Sequence, residues 1–145
     1  MAVQRTAKAV WEHDLAKGSG RVAGTSGALP ETGVSWAART EVPNGKTSPE
    51  ELLAAAHASC YSMALSATLG RGGTPPERLD VSAVATFDKV GDAWTVTTMH
   101  LAVVGKVPGC SAEKFAEAAK VASETCPISR ALKGNVRVDV EARLA

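Results

Sequence analysis

This chain has almost no net charge. Its 16 Lys and Arg offset 15 Asp and Glu, for a net +1 at pH 7, so nothing electrostatic argues for nucleic acid or a membrane surface as partner. Cysteine is sparse too, with three in 145 residues. An odd number without the density of a disulfide scaffold suggests a reducing cytoplasm, where thiols do chemistry. No basic segment followed by an apolar run opens the sequence, which argues against a signal peptide. Internal repeats and low-complexity segments are also lacking. The glycines of Gly18–Gly33 have the wrong spacing for a phosphate loop, and no helix follows them, so they read as ordinary turns.

What is present fits one globular domain spanning 1–145, since 45% of the residues are hydrophobic and the length suffices for a core. Ser48 to Leu69 predicts one long helix. Ser48 is a hydroxyl N-cap, Pro49 suits the first helical position, Glu51 completes a capping box, and Gly70 offers a stop. Between Leu52 and Leu69 no residue is charged, so no face is written for solvent. The stretch nears transmembrane length, but its Ala, Ser and histidine make it too weakly hydrophobic for insertion. It reads as a buried helix with no membrane partner.

Around it, Val3–Trp11 and Val34–Val42 read as strands, with Arg21–Ala23 a candidate short one. Arg71–Pro76 is a linker. Val81–Phe87, the turn Val90-Gly91-Asp92 and Ala93–Val104 make a hairpin. A helix follows from Ser111 to near Thr125, with Phe115, Ala118, Ala119 and Ala122 on one face. A short helical segment starts at Cys126-Pro127 and stops at Gly134. Val136, Val138, Val140 and Ala142 alternate with charged neighbours as a half-buried strand. The order βββ-α-ββ-α-α-β predicts an α+β fold with a mostly antiparallel sheet.

From Pro49 to Leu69 the long helix spans about 31 Å at about 1.5 Å per residue, and one sheet covers only one side. Small residues such as Ala54, Ala55, Ala58, Ser59, Ser62 and Ala64 would admit a second helix closely. A homodimer packing two copies together is the economical solution; the alternative is cover by the chain's own second helix.

Two thiols carry candidate chemistry. Cys60 lies about 16 Å from its helix start, where the macrodipole has faded, so activation must come from a fixed cation or hydrogen bonds. Cys126 precedes Pro127 at a helix start, where free N–H groups favour a thiolate. On these grounds Cys126 is the more acidic thiol, and independent burial of both remains open.

The run from Asn44 to Cys60, Asn-Gly-Lys-Thr-Ser-Pro-Glu-Glu-Leu-Leu-Ala-Ala-Ala-His-Ala-Ser-Cys, resembles the signature of the osmotically inducible protein C / organic hydroperoxide resistance (OsmC/Ohr) family. Cys126-Pro127-Ile128-Ser129 resembles its second cysteine motif. Ala9-Val10-Trp11-Glu12, Gly20-Arg21-Val22 and Ala37-Ala38-Arg39-Thr40 extend the likeness through the chain, closer to the OsmC branch, with Arg39 ending a strand. Asn44–Ser48 departs from the more usual Thr-Asn before the proline. A serine caps as well.

The resemblance implies an OsmC-like fold, with antiparallel sheets wrapped around a long central helix, and an intertwined homodimer with active sites at its interface. It implies a thiol peroxidase of the cytoplasm that reduces organic hydroperoxides and hydrogen peroxide without a cofactor or metal. By the same resemblance Cys60 is peroxidatic, Cys126 resolving, Arg39 the activating cation and Glu50 its carboxylate partner. A dithiol of lipoyl or thioredoxin type would reduce the Cys60–Cys126 disulfide. The alternative function is a non-enzymatic stress or ligand-binding protein on the same fold.

His57 shares a helix face with Cys60 and either tunes the thiol or is a satisfied buried histidine, the reading favoured here. Cys60, Cys126 and His57 could also bind zinc, although no tight Cys-x-x-Cys pair supports it. Tyr61, Met63 and Leu65 are expected in the core. Trp11, Trp36 and Trp94 read as packing, with one of them available to line a substrate pocket. Cys110 reads as a bystander.

Overall fold

A computed structural model describes every residue from Met1 to Ala145, and the chain divides into two units, Met1–Leu52 and Leu53–Ala145. The first holds strands β1 (Ala7–Glu12), β2 (Ser19–Gly24) and β3 (Thr32–Val34) and a short helix α1 (Trp36–Thr40). Its strands form an antiparallel sheet in chain order. The expected strand Val34–Val42 is corrected: β3 ends at Val34 and Arg39 stands on a helix, not on a strand. The cause is Ser35, an extended N-cap whose hydroxyl accepts from the Ala38 amide at 3.1 Å. That cap starts Trp-Ala-Ala-Arg, whose Ala and Arg are strong helix formers. This unit's only buried apolar side chain is Ala38, while Val10, Trp11 and Leu15 are exposed.

Helix α2 (Pro49–Arg71) begins at the end of the first unit and continues through the second. Ser48 caps it, its hydroxyl accepting from the Glu51 amide at 3.1 Å. The Glu51 carboxylate accepts the Thr47 hydroxyl at 2.6 Å, so the capping box is completed by a neighbour of the cap. Gly70 is not the stop. The helix runs to Arg71, and Gly73, at φ 80°, takes the left-handed conformation.

In the second unit, β4 (Arg78–Val90) and β5 (Ala93–Lys106) form the expected hairpin, with an irregularity between Thr86 and Phe87. Helices α3 (Ala112–Thr125) and α4 (Pro127–Leu132) then carry the chain to β6 (Arg137–Leu144). Strand β6 pairs parallel to β5, as a crossover through helices allows. The whole is α+β with two small sheets. Its core joins Tyr61, Leu65 and Leu69 of α2 with Leu101 and Val103 of β5 and Phe115, Ala119 and Ala122 of α3.

Along α2 the buried residues are His57, Tyr61, Leu65 and Leu69, a stripe with a period of four that follows one helix face. The opposite face is open: Ala55, Ala56, Ser59 and Ala67 are exposed, and Met63, expected in the core, is 66% exposed. By length and composition α2 is apolar enough to cross a membrane, yet its stripe is part of the core just described. Gly105 marks the closest backbone approach in that core. A Cβ there would sit 2.5 Å from Cζ of Phe115, whose ring is buried against its neighbours. Gly105→Ala is expected to destabilise by about 1–3 kcal/mol through overpacking and to lower Tm by roughly 2–12 °C at this size. Thermal unfolding of the variant checks it; an unchanged Tm would show a core loose enough to absorb a methyl group.

Candidate active site

Four side chains singled out in the sequence gather as two pairs, one in each unit. In the first, Glu50 lies in the first turn of α2 and is buried, and the Arg39 guanidinium grips its carboxylate. Arg39 Nε donates to both oxygens, at 3.1 and 3.0 Å, and Nη2 donates to Oε1 at 2.7 Å. A buried carboxylate needs such a partner, because unpaired burial of charge is costly. The Arg39 Cζ also lies 5.8 Å from the centroid of the Trp36 ring, a cation–π distance. Between ring and carboxylate the cation is held in place. Beside it opens a cavity of about 330 Å³, walled by Trp11, Leu15, Val34 and Trp36 and bordered by Arg39. Trp11 and Trp36 therefore line a pocket, a task the sequence allowed to one of the three tryptophans. Trp94 stacks on Phe87 at 4.9 Å.

In the second unit Cys60 packs against the buried cluster that contains Cys126, near enough for the second thiol to act on it electrostatically, and both are free thiols. Their exposures differ. Cys60 is partly exposed and Cys126 is fully buried. Burial pushes the Cys60 thiol up from its ordinary value, the backbone N–H of Ile128 pulls it down, and Cys126 pushes it up again. The reading of Cys126 as the thiol served by a helix start is thus corrected. Its side chain makes no capping bond, and the free Ile128 amide at the start of α4 serves Cys60.

His57 is fully buried, with Nε2 2.7 Å from the Ser129 hydroxyl, while its Nδ1 has no partner. The sequence reading of a satisfied histidine is therefore half right. No group of three or more His, Cys, Asp or Glu is placed to hold a metal ion, so the zinc reading of Cys60, Cys126 and His57 gains no support. Cys110 packs at the edge of the core, its Sγ 3.5 Å from the carbonyl of Ser111. Sequence reasoning missed Ser129, although it lies inside the Cys126-Pro127-Ile128-Ser129 motif. Nothing in the motif marks that hydroxyl as the partner of a residue 72 positions away.

Residues 42–141 match the family model described as OsmC-like protein. The chain is 37% identical over 141 residues to peroxiredoxin OsmC of Escherichia coli, covering 97% of this chain and 98% of that protein. It is 32% identical over 120 residues to the uncharacterized protein YmaD of Bacillus subtilis, with 77% of each covered. Among solved structures it resembles the organic hydroperoxide resistance protein OhrB of Bacillus subtilis at TM-score 0.74 and 25% identity, over 95% of this chain and 98% of that one. The chain belongs to the OsmC family.

Burial pushes the His57 imidazole below its ordinary value, so the folded protein keeps it neutral where an unfolded histidine, near pH 6.5, would already be charged. Below that pH the unfolded chain binds a proton that the fold refuses. Stability is therefore present above about pH 6.5 and is lost as pH falls towards the folded value, by up to about 1.4 kcal/mol per pH unit. Denaturation midpoints between about pH 7.5 and about pH 5.5 should fall more steeply in wild type than in His57→Gln. Parallel profiles would show that His57 takes up its proton without unfolding.

Proposed function

We propose that this chain is a cysteine-based peroxidase that reduces organic hydroperoxides and hydrogen peroxide, with Cys60 as the attacking thiol and Cys126 as the resolving one. The observation that carries it is the unequal burial of two neighbouring thiols. A dissolved peroxide can reach the partly exposed Cys60, whereas Cys126, at 0% exposure, waits behind it. Names support the same reading: the Escherichia coli relative is a peroxiredoxin, and the Bacillus subtilis neighbour is an organic hydroperoxide resistance protein.

The reaction proceeds in three balanced steps. The Cys60 thiolate attacks one peroxide oxygen, the O–O bond breaks, Cys60 becomes a sulfenic acid, and the alkoxide leaves as alcohol after protonation. Cys126 then attacks the Cys60 sulfur, the S–O bond breaks, and a disulfide and water form. An external dithiol of lipoyl or thioredoxin type exchanges with that disulfide and restores both thiols. A reducing cytoplasm is the compartment this cycle suits.

Deprotonation alone would not make Cys60 fast. Lowering a thiol pKa from about 8.5 to about 6 raises the thiolate at pH 7 about thirtyfold. At a Brønsted slope near 0.45 about thirteenfold is given back in nucleophilicity, leaving a gain of only about twofold. Arg39 is therefore assigned a transition-state role: it aligns the peroxide and stabilises the departing alkoxide. Glu50 and Trp36 hold the guanidinium in place. The apolar cavity beside Arg39 suits the carbon chain of an organic hydroperoxide.

The functional form is a homodimer with α2 at its centre, each copy contributing one OsmC-like domain. Support comes from what one copy leaves bare. The face of α2 bearing Ser59 and Met63 is exposed, and the first unit exposes Val10, Trp11 and Leu15 while burying only Ala38 among its apolar side chains. Fifty-two residues with so small a core need cover from elsewhere. Antiparallel α2 helices would bring the Arg39–Glu50 pair of one copy to Cys60 of the other.

Peroxide consumption with a dithiol reductant should be abolished in Cys60→Ser, and Cys126→Ser should stop after the first turnover. Arg39→Ala should lose about 10²–10³-fold in the rate of the peroxide step, the usual cost of one transition-state charge partner. Undiminished turnover in Cys60→Ser would sink the assignment. In sedimentation at micromolar concentration the protein should run as a dimer, and a stable monomer there would refute the composite site.

A further inference from the structure

Two links join the same pair of helices. On α2, His57 stands three residues before Cys60; on the other side, Ser129 stands three residues after Cys126, which precedes the first residue of α4. One link is the pair of neighbouring thiols, and the other is the buried hydrogen bond between His57 Nε2 and Ser129 Oγ at 2.7 Å. On α2 the two links lie about 4.5 Å apart along the axis, just under one turn; on the other side Cys126 is the N-cap of α4 and Ser129 lies in its first turn. The His57 ring is fully buried and Ser129 is 6% exposed, so this bond does not compete with water.

Helix α4 has only six residues and cannot hold its own place, since isolated helices this short are unstable. Its register against α2 must come from tertiary links. The resolving step demands that register: the sulfurs must close to about 2.05 Å, with Cα atoms within about 4.4–6.8 Å.

We propose that His57 and Ser129 are positioning residues for disulfide formation, clamping α4 to α2 so that Cys126 stays within reach of the Cys60 sulfenic acid. This rests on the peroxidase reading above. The step is Cys60–SOH plus Cys126–SH giving the disulfide and water: the Cys60 S–O bond breaks, Cys60 is reduced as Cys126 is oxidised, and the Cys126 proton leaves in the water. The clamp takes no part in the bond changes and leaves peroxide attack to Cys60 and Arg39.

The test is a single turnover of the reduced full-length protein with cumene hydroperoxide. Quenched samples are trapped with dimedone and a thiol alkylator and read by mass spectrometry. In Ser129→Ala, disulfide formation should slow about tenfold, the equivalent of one buried hydrogen bond. Peroxide loss should slow far less. Sulfinic acid should accumulate on Cys60 under excess peroxide, and Ser129→Thr, which keeps the hydroxyl, should restore the wild-type rate. A disulfide rate in Ser129→Ala equal to wild type, or equal slowing of both steps, overturns the clamp. If Ser129→Ala does not fold, His57→Gln is read by the same criteria.

A second arm needs no peroxide. At equilibrium with a dithiol redox buffer, the Cys60–Cys126 disulfide of Ser129→Ala should be more easily reduced than that of wild type, and an unchanged equilibrium counts against the clamp. If wild type leaves cumene hydroperoxide unconsumed, the peroxidase reading fails, while this arm still judges the clamp.

Discussion

One stripe of four side chains on α2 carries much of this protein. His57, Tyr61, Leu65 and Leu69 recur every fourth residue, and each is buried. Tyr61 donates its hydroxyl to the carbonyl of Ala119 at 3.0 Å, so the stripe is tied to α3 by a hydrogen bond as well as by apolar contact. Cys60 directly precedes Tyr61. Its position in the second unit is thereby set by a residue that cannot move without opening the core. The thiol is half-buried because it sits at the edge of the stripe, where one side faces Cys126 and the other does not.

The same stripe explains why the long helix has two characters. A period of four on a helix of 3.6 residues per turn covers only a narrow face. Between Leu52 and Thr68 the other residues of α2, Cys60 apart, are Ala, Ser, Thr, Met and Leu, too apolar to be written for water and too small to build a core of their own. Mean composition alone describes such a helix as buried. The structure of one copy buries only part of it, and this gap between composition and burial is the physical case for a second copy.

Most elements were legible from local chemistry. Ser111 and Ser48 cap their helices through their hydroxyls, as their positions before Ala112 and Pro49 predict, and the alternation in β6 places Val138, Val140 and Ala142 against the core. Two errors share a cause. Around Arg39, the pattern of residues 34–42 reads as a strand, whereas Ser35 is a cap that makes five residues helical. At Cys126, the helix start predicts help for its own cap residue. Its Ile128 amide acts instead on Cys60, a thiol 68 positions earlier. A cap is readable from sequence when donor and acceptor are neighbours; it is silent when the acceptor arrives from another element. The His57–Ser129 bond was illegible for the same reason.

The two charged and two thiol side chains are each satisfied within their own pair. That is a constraint on mechanism. Glu50 takes three donor contacts from Arg39, so in the proposed reaction the cation would meet a substrate with its bond to the carboxylate already made and with little reorganisation as charge develops on a leaving oxygen. Cys60, by contrast, sits where burial and its neighbour thiol both favour the neutral form, opposed by one amide. A resting thiol held above its usual range is protected from casual oxidation, because the thiolate is the reactive species. In the proposed dimer, reactivity would appear only where a cation from the first unit of one copy meets a thiol from the second unit of the other. In that proposed dimer, assembly would be the precondition for activation.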